Sequence, residues 1–92
     1  MSERITLGFP EPDPAGVEGD IGLAIFSSEC IHGRPQTRLD VAYWLPLDGE
    51  KAVVEVRGPA GESALRVLLG LLAARFGETG FTVRRASLDG EE

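Results

Sequence analysis

The clearest pattern in the chain is an alternation of apolar and polar side chains in two runs over residues 37–58. The apolar positions on one side of these runs are Leu39, Val41, Tyr43, Leu45, Ala52, Val54 and Val56. The pair Asp48-Gly49 separates the runs, and such a pair is typical of a hairpin turn because glycine reaches positive φ without strain. The pattern predicts an antiparallel β-hairpin over about residues 38–58, with a first strand that Pro46 shortens.

A helical spacing of apolar residues follows the hairpin in residues 62–76, ESALRVLLGLLAARF. This segment starts after Gly-Pro-Ala-Gly and stops at Gly77, as helices commonly do. The runs ERITLGF near the start and FTVRRASL near the end predict two further strands, the last with Phe81 and Val83 facing inward. The sum predicts an α+β domain: an antiparallel sheet of three to four strands with one main helix on one face.

Residues 15–28 fit two structures. Val17, Ile21 and Ala24 have the spacing of a helix face, whereas Ile21, Leu23 and Ile25 alternate as in a buried strand. Three glycines in the segment would each cost a helix roughly 1 kcal/mol. Propensity alone favours the strand slightly, and a second helix at about 15–28 is the alternative.

The helix over residues 62–76 has a wider apolar surface than one sheet can cover. At 100° per residue, its apolar arc spans roughly 220°, whereas packing on a sheet needs little more than about 100°. One stripe consists of Leu65, Leu69, Leu72 and Phe76, and the second of Ala64, Val67, Leu71 and Ala74, with Leu68 between them. Either another segment of the same chain or a second molecule must cover the second stripe.

Trp44 on the hairpin also raises the question of what covers an apolar side chain, because it faces away from Tyr43 and Leu45. An outward tryptophan is enriched at protein interfaces, although it could also pack under the N-terminal segment. We therefore predict a partner interface formed by Trp44, Val67, Leu68, Leu71 and Ala74.

Composition limits the class of protein. The 92 residues predict one domain, with a partly flexible, proline- and acid-rich segment over residues 1–20 and an acidic tail over residues 88–92. The formal net charge is −6, but between Cys30 and Arg85 basic residues outnumber acidic ones. No apolar run is long enough to cross a bilayer, and one cysteine forms no internal disulfide, so we expect a cytoplasmic protein.

Cys30 and His32 are the only cysteine and the only histidine of the chain. A zinc site usually needs four ligands, and a cysteine nucleophile needs a base and an orienting group, so we expect no metal, cofactor or catalysis here. One alternative is an enzyme that uses His32 or Cys30, since CIHGRP resembles the phosphohistidine loop of the HPr-type phosphocarriers. Another alternative is a stand-alone regulatory domain without an RNA partner.

Three segments together resemble another family, the small dimerising subunit of the KEOPS complex, which makes the threonylcarbamoyl modification on tRNA. They are ITLGFP (residues 5–10), RLDVAYWLPLDGEKAVVEVRG (residues 38–58) and ESALRVLLGLLAARF (residues 62–76). They resemble the opening strand, central hairpin and closing helix of that subunit. The resemblance also implies a helix over Val17 to Ser28.

The resemblance implies a non-catalytic protein-interaction and dimerisation subunit. Such a subunit pairs with its own copy through its sheet, docks its helices on a larger catalytic subunit and helps to hold tRNA. Arginine forks match phosphate geometry. The implied RNA contacts are Arg34, Arg38, Arg57, Arg84 and Arg85.

Overall fold

A computed structural model describes residues 2–88 of the chain. In order, its elements are β1 (Ser2–Gly8), α1 (Pro14–His32), α2 (Arg34–Asp40), β2 (Val41–Trp44), β3 (Lys51–Arg57), α3 (Gly58–Phe76) and β4 (Thr82–Ser87). Of the N-terminal segment, residues 2–8 thus form a strand and residues from Pro14 onward belong to a helix. The predicted acidic tail lies outside the described residues except for Leu88.

The four strands form one sheet in the order β2-β3-β1-β4, and every neighbouring pair is antiparallel. The connection from β1 to β2 contains α1 and α2 and crosses over β3. The connection from β3 to β4 contains α3 and crosses over β1. This is the split βαβ arrangement of the ferredoxin-like folds. The predicted α+β class, with an antiparallel sheet covered on one face, is confirmed.

Residues 14–32 form a helix, so the slight preference for a strand at residues 15–28 was wrong. Pro14 occupies the first turn, and the Asp13 carboxylate accepts a hydrogen bond from the Gly16 amide at 3.2 Å. Val17 and Ile21 are buried, and each contributes about 1.5–3 kcal/mol relative to exposure. That burial offsets the cost of the glycines, roughly 1 kcal/mol each.

The hairpin exists, but it is shorter than predicted. Its first strand spans only Val41–Trp44, because residues 34–40 form the short helix α2. Leu39 therefore lies exposed on a helix and does not face the core. The predicted turn is present: Gly49 has φ of 70° and its amide donates to the Pro46 carbonyl at 3.0 Å.

The core lies between the sheet and the pair α1–α3. Its buried apolar residues are Ile5, Leu7, Phe9, Val17, Ile21, Ala24, Ala52, Val54, Val56, Leu65, Leu68 and Leu72. Phe81 packs beside Phe9 and Phe76, with ring centroids 6.5 and 6.3 Å away, as its predicted inward position requires. Val83 faces the helix side of the sheet but remains 43% exposed, because β4 extends beyond the helices.

Helix α3 begins at Gly58, four residues earlier than predicted. Gly58 has φ of 68°, and a Cβ there would come within 2.7 Å of the Asp40 Oδ2 atom. At Gly61, a Cβ would lie 2.9 Å from both the Asp40 carbonyl oxygen and Val56 Cβ. Two glycines thus let the first turn of α3 approach the junction between α2 and β2.

Buried hydroxyls join the three helices. The Ser28 hydroxyl donates to the Ala60 carbonyl at 2.8 Å and lies 3.2 Å from the Thr37 hydroxyl. The Thr37 hydroxyl also donates to the Gly33 carbonyl at 3.0 Å. Each of these polar groups is satisfied within the protein, which avoids the cost of burying an unpaired hydroxyl.

At the other end of the helix pair, Arg75 of α3 holds the buried Asp20 of α1. Its Nε donates to Oδ2 at 2.8 Å and its Nη2 donates to Oδ1 at 3.0 Å. Asp13 lies 3.5 Å from Arg75 Nη1 and adds a second carboxylate. The hydrogen bonds and charge of Asp20, together with the charge of Asp13, raise the pKa of Arg75. The Arg75 guanidinium therefore keeps its charge, and its contribution to stability, until strongly alkaline pH.

We predict that Arg75→Met lowers the melting temperature by several degrees, because it leaves the Asp20 carboxylate buried without its cation. Thermal unfolding followed by circular dichroism at neutral pH measures the effect. Arg66→Met is the matched control, since Arg66 is exposed on the same helix and forms no ion pair within residues 2–88. Equal melting temperatures for the two variants would contradict the role of the pair.

Candidate interaction surfaces

The structure separates the five predicted interface residues. Leu68 is buried beneath α1, so it is not at the surface of the single chain, and Val67 and Leu71 are half-buried. Only Ala74 on α3 and Trp44 on β2 are exposed. Burial within the chain therefore accounts for Leu68 and Ala64, but it covers Val67 and Leu71 only in part and leaves Ala74 uncovered.

The larger uncovered apolar surface lies on α1, where sequence reasoning did not place it. Leu23 and Phe26 are 55% and 61% exposed and lie three residues apart, on one side of the helix. Ile31 is also exposed at the end of α1, but it lies about 140° around the helix from Phe26, and Leu39 is exposed on α2. We call Leu23 and Phe26 the α1 patch. The signal for it was present, because a helix over residues 14–32 that buries Val17 and Ile21 must expose Leu23.

Strand β2 forms one edge of the sheet, and its sequence Val-Ala-Tyr-Trp contains no charge or proline. Natural edge strands usually carry charged residues or proline, because unpaired backbone groups otherwise attract another strand. Trp44 and Tyr43 on this edge are both partly exposed. The other edge, β4, contains Arg84 and Arg85. The uncharged edge is thus the one suited to strand pairing.

The predicted RNA contacts fall in two groups. Arg34 and Arg38 lie one turn apart on α2, and Arg57 is beside them, with its Nε donating to the Leu39 carbonyl at 3.2 Å. Arg38 and Arg57 line the same groove, of about 220 Å³. The other two, Arg84 and Arg85, lie on β4 at the opposite edge of the sheet, so the five do not form one surface.

Arg85 is engaged within the protein. Its guanidinium donates a short hydrogen bond to Glu3 and lies 3.9 Å from a Glu62 oxygen. The hydrogen bond to Glu3 and the charges of Glu3 and Glu62 raise the pKa of Arg85. By contrast, Arg84 faces the other side of the sheet and forms no ion pair within residues 2–88. Of the two neighbours, Arg84 is the one with a free guanidinium.

The open face of the sheet, opposite the helices, carries most of the exposed positive charge of the sheet. Strand registers place Arg4, Lys51, Arg57 and Arg84 on this face, with Glu55 as its one carboxylate within the described strands. Sequence reasoning missed Arg4 and Lys51. The alternation in ERITLGF was the available signal, since burial of Ile5 and Leu7 directs Arg4 to the open face.

Cys30 and His32 do not face each other. Residues two apart on a helix differ by about 200° around its axis, so Cys30 is exposed while His32 turns toward α3. There the His32 Nε2 atom lies 2.9 Å from the Ser63 hydroxyl oxygen. The geometry offers the thiol no neighbouring imidazole. Within residues 2–88, no group of three or more potential ligands is arranged for a metal ion.

Asp40 is the one buried polar side chain within residues 2–88 with an unpaired atom. Its Oδ1 accepts from Gln36 Nε2 at 3.0 Å and lies 3.9 Å from Arg57 Nε, but Oδ2 has no hydrogen-bond partner there. This oxygen lies against Gly58, in the first turn of α3. The positive end of a helix favours a carboxylate, which accounts for its burial at this place.

Compared with known proteins, the chain matches no family model and no curated sequence. None of the helices within residues 2–88 is long and apolar enough to span a membrane. The surfaces described above are therefore the observations on which a functional proposal must rest.

We predict that Cys30 reacts with a small alkylating reagent at the same rate in the native protein and in a His32→Ala variant. The reason is that the imidazole contacts Ser63 and not the thiol. Mass spectrometry at fixed pH measures the rate, and Ser63→Ala serves as the control for loss of that contact. A tenfold slower reaction in His32→Ala alone would show that the histidine activates the thiol.

Proposed function

We propose that this protein is a non-catalytic protein-interaction and dimerisation subunit, of the kind found in the KEOPS tRNA-modifying complex, and that it acts in the cytoplasm. The observation that carries the proposal is the α1 patch, Leu23 and Phe26, which no element within residues 2–88 covers. Exposed apolar side chains grouped on one helix face are typical of a docking surface.

The order of elements supports the likeness to that subunit. The resemblance implies a helix after the first strand, and α1 occupies residues 14–32. The hairpin and the following helix also occur where it implies them. One feature departs from the resemblance: the chain turns back after α3 and adds strand β4 beside β1, where the family usually continues its helix.

The docking surface in this proposal includes both helices. The α1 patch supplies its largest side chains, and the exposed Ala74 and half-buried Val67 and Leu71 extend it along α3. An apolar helix pair of this kind suits the helices of a larger catalytic partner, which would pack on it in the manner of a helical bundle. Leu68 supports this surface from beneath and does not touch the partner.

Dimerisation in this proposal uses strand β2. Two copies related by a twofold axis would pair their β2 edges antiparallel and form one continuous sheet of eight strands. The pairing satisfies backbone groups that are otherwise exposed to water and brings the Trp44 side chains of both copies near the axis. A small domain gains further stability from such an association, because its own core is thin.

We predict that the purified chain is a dimer with twice the 9.8 kDa mass of the monomer, and that Tyr43→Lys makes it a monomer. The added charge disfavours strand pairing at an edge. Multi-angle light scattering at several concentrations measures the mass. Leu47→Lys is the matched control, because Leu47 is 99% exposed in the hairpin loop and outside β2. A monomeric parent chain would exclude dimerisation.

We also predict that the chain binds the purified catalytic subunit of a threonylcarbamoyl-transferring complex from the same organism. Phe26→Asp should weaken this binding at least tenfold, because it places a charge within the apolar contact. Isothermal titration calorimetry gives the dissociation constants, and Leu47→Asp is the control for an exposed leucine outside the patch. If Phe26→Asp binds as tightly as the parent chain, α1 is not the docking surface.

A further inference from the structure

The open face of the sheet differs from the remainder of this acidic protein. The strands place four cations, Arg4, Lys51, Arg57 and Arg84, on this face with one carboxylate, Glu55, in a chain whose formal charge is −6, although Arg57 also lies 3.9 Å from Asp40. The end of α2 meets one corner of this face, where Arg57 donates to the Leu39 carbonyl. A concentration of positive charge on one face attracts a polyanion.

An aromatic side chain accompanies this charge. Trp44 is 54% exposed, and its register opposite Val53 places it on the open face. It lines a groove of about 260 Å³ together with Arg4, Val53 and Glu55. Aromatic rings and guanidinium planes are the groups on which unpaired nucleobases stack.

The strand registers place the phosphate-binding cations around this groove. Lys51 is the diagonal neighbour of Trp44, at about 7–8 Å. The row Trp44–Val53–Thr6–Arg84 crosses the whole sheet, so Arg84 lies three strands, or about 14 Å, from Trp44. Neither Lys51 nor Arg84 forms an ion pair within residues 2–88. Both cations are therefore free to bind phosphate.

Arg4 has a different role. Its Nε donates to Glu55 at 2.9 Å, and Nη2 lies 2.9 Å from the same oxygen, so its guanidinium is held in place beside the groove. A guanidinium held in this way, in the groove that Trp44 also lines, loses little side-chain entropy when a base enters. Glu55 thereby positions Arg4, and it also offers an acceptor for a base amino group.

We propose that the open sheet face binds single-stranded RNA, with one base in the groove between Trp44 and Arg4 and the flanking phosphates on Lys51 and Arg84. The Thr6 and Thr82 hydroxyls on the same face can bind a ribose 2′-hydroxyl, which favours RNA over DNA. The inference rests on the proposed function, for which the resemblance implies an RNA partner. Of the five predicted arginines it keeps Arg84 as a phosphate contact, and it adds Trp44, Arg4 and Lys51.

The chain's one tryptophan, Trp44, makes the test direct. Titration with a single-stranded oligonucleotide of about ten nucleotides, oligouridylate or oligoadenylate, should quench its fluorescence to saturation at low salt. Affinity should fall as salt rises, and Lys51→Ala and Arg84→Ala should each reduce the slope of log K against log salt by about 0.7. The absence of quenching or of binding would overturn the proposal.

Variants of the chain test whether this face is the one that binds RNA. The fluorescence anisotropy of a labelled RNA measures the affinity of each variant. Trp44→Leu should weaken binding by about 5- to 150-fold, the loss expected for one stacked base. Arg66→Ala, on the exposed side of α3, is the matched control and should leave binding unchanged. An equal loss in Arg66→Ala, or loss in Arg34→Ala/Arg38→Ala without loss in Trp44→Leu, would overturn the assignment of this face.

Two competing ligands test the class of partner. Polyglutamate of similar charge should compete at least tenfold more weakly than the RNA, and DNA of the same sequence should also bind more weakly. Equal competition by polyglutamate would indicate an acidic protein partner, and equal binding of DNA would contradict the choice of RNA. Light scattering on the same samples separates the two proposals. If the chain is a dimer but binds no RNA, the proposed interaction function stands and only the RNA-binding inference fails.

Discussion

One constraint governs the rest of the structure: two helices of 19 residues each cover only one face of a four-stranded sheet. That single layer of burial, from Ile5 and Val54 on the sheet to Ile21 and Leu72 on the helices, supplies the whole apolar core. Within residues 2–88, this burial leaves the second face of the sheet and the outer side of α1 uncovered. The functional proposals follow from what these uncovered surfaces carry.

The uncovered surfaces differ in chemistry. The outer side of α1 is apolar, the β2 edge has unpaired backbone without charge, and the open sheet face is positive and includes Trp44. These properties suit three kinds of contact: packing with helices, pairing with a strand, and binding of a polyanion with exposed bases. One small chain can make all three at once, because the three surfaces do not overlap apart from Trp44, which stands where the edge meets the open face.

Much of the fold could be predicted because local pattern and tertiary packing agree. Val54 lies in a run of alternating apolar residues, and Leu65, Leu68 and Leu72 have helical spacing. The structure buries these same residues. Residues 15–28 were misjudged because glycine propensity was weighed alone, whereas Asp13 caps this helix and Val17 packs it on the sheet. The short α2 was missed although Pro35, in its first turn, is a common helix-start signal.

The candidate surfaces were harder to predict than the fold. Which apolar residue is uncovered depends on how helices pack on each other, and α1 rather than a partner covers Leu68. Likewise, the grouping of Arg4, Lys51 and Arg84 requires the strand order β3-β1-β4, which joins residues distant in sequence. Counting arginines along the chain could not separate Arg84, which forms no ion pair within residues 2–88, from Arg85, which is bound to Glu3.

The central claim is that this chain acts through surfaces that its own elements leave uncovered, and hydrogen exchange of the β2 amides tests it most directly. Exchange of residues 41–44 should slow as protein concentration rises from nanomolar to micromolar, whereas exchange in β4, the other edge, should not change. Concentration-independent exchange in β2 across that range would contradict the account.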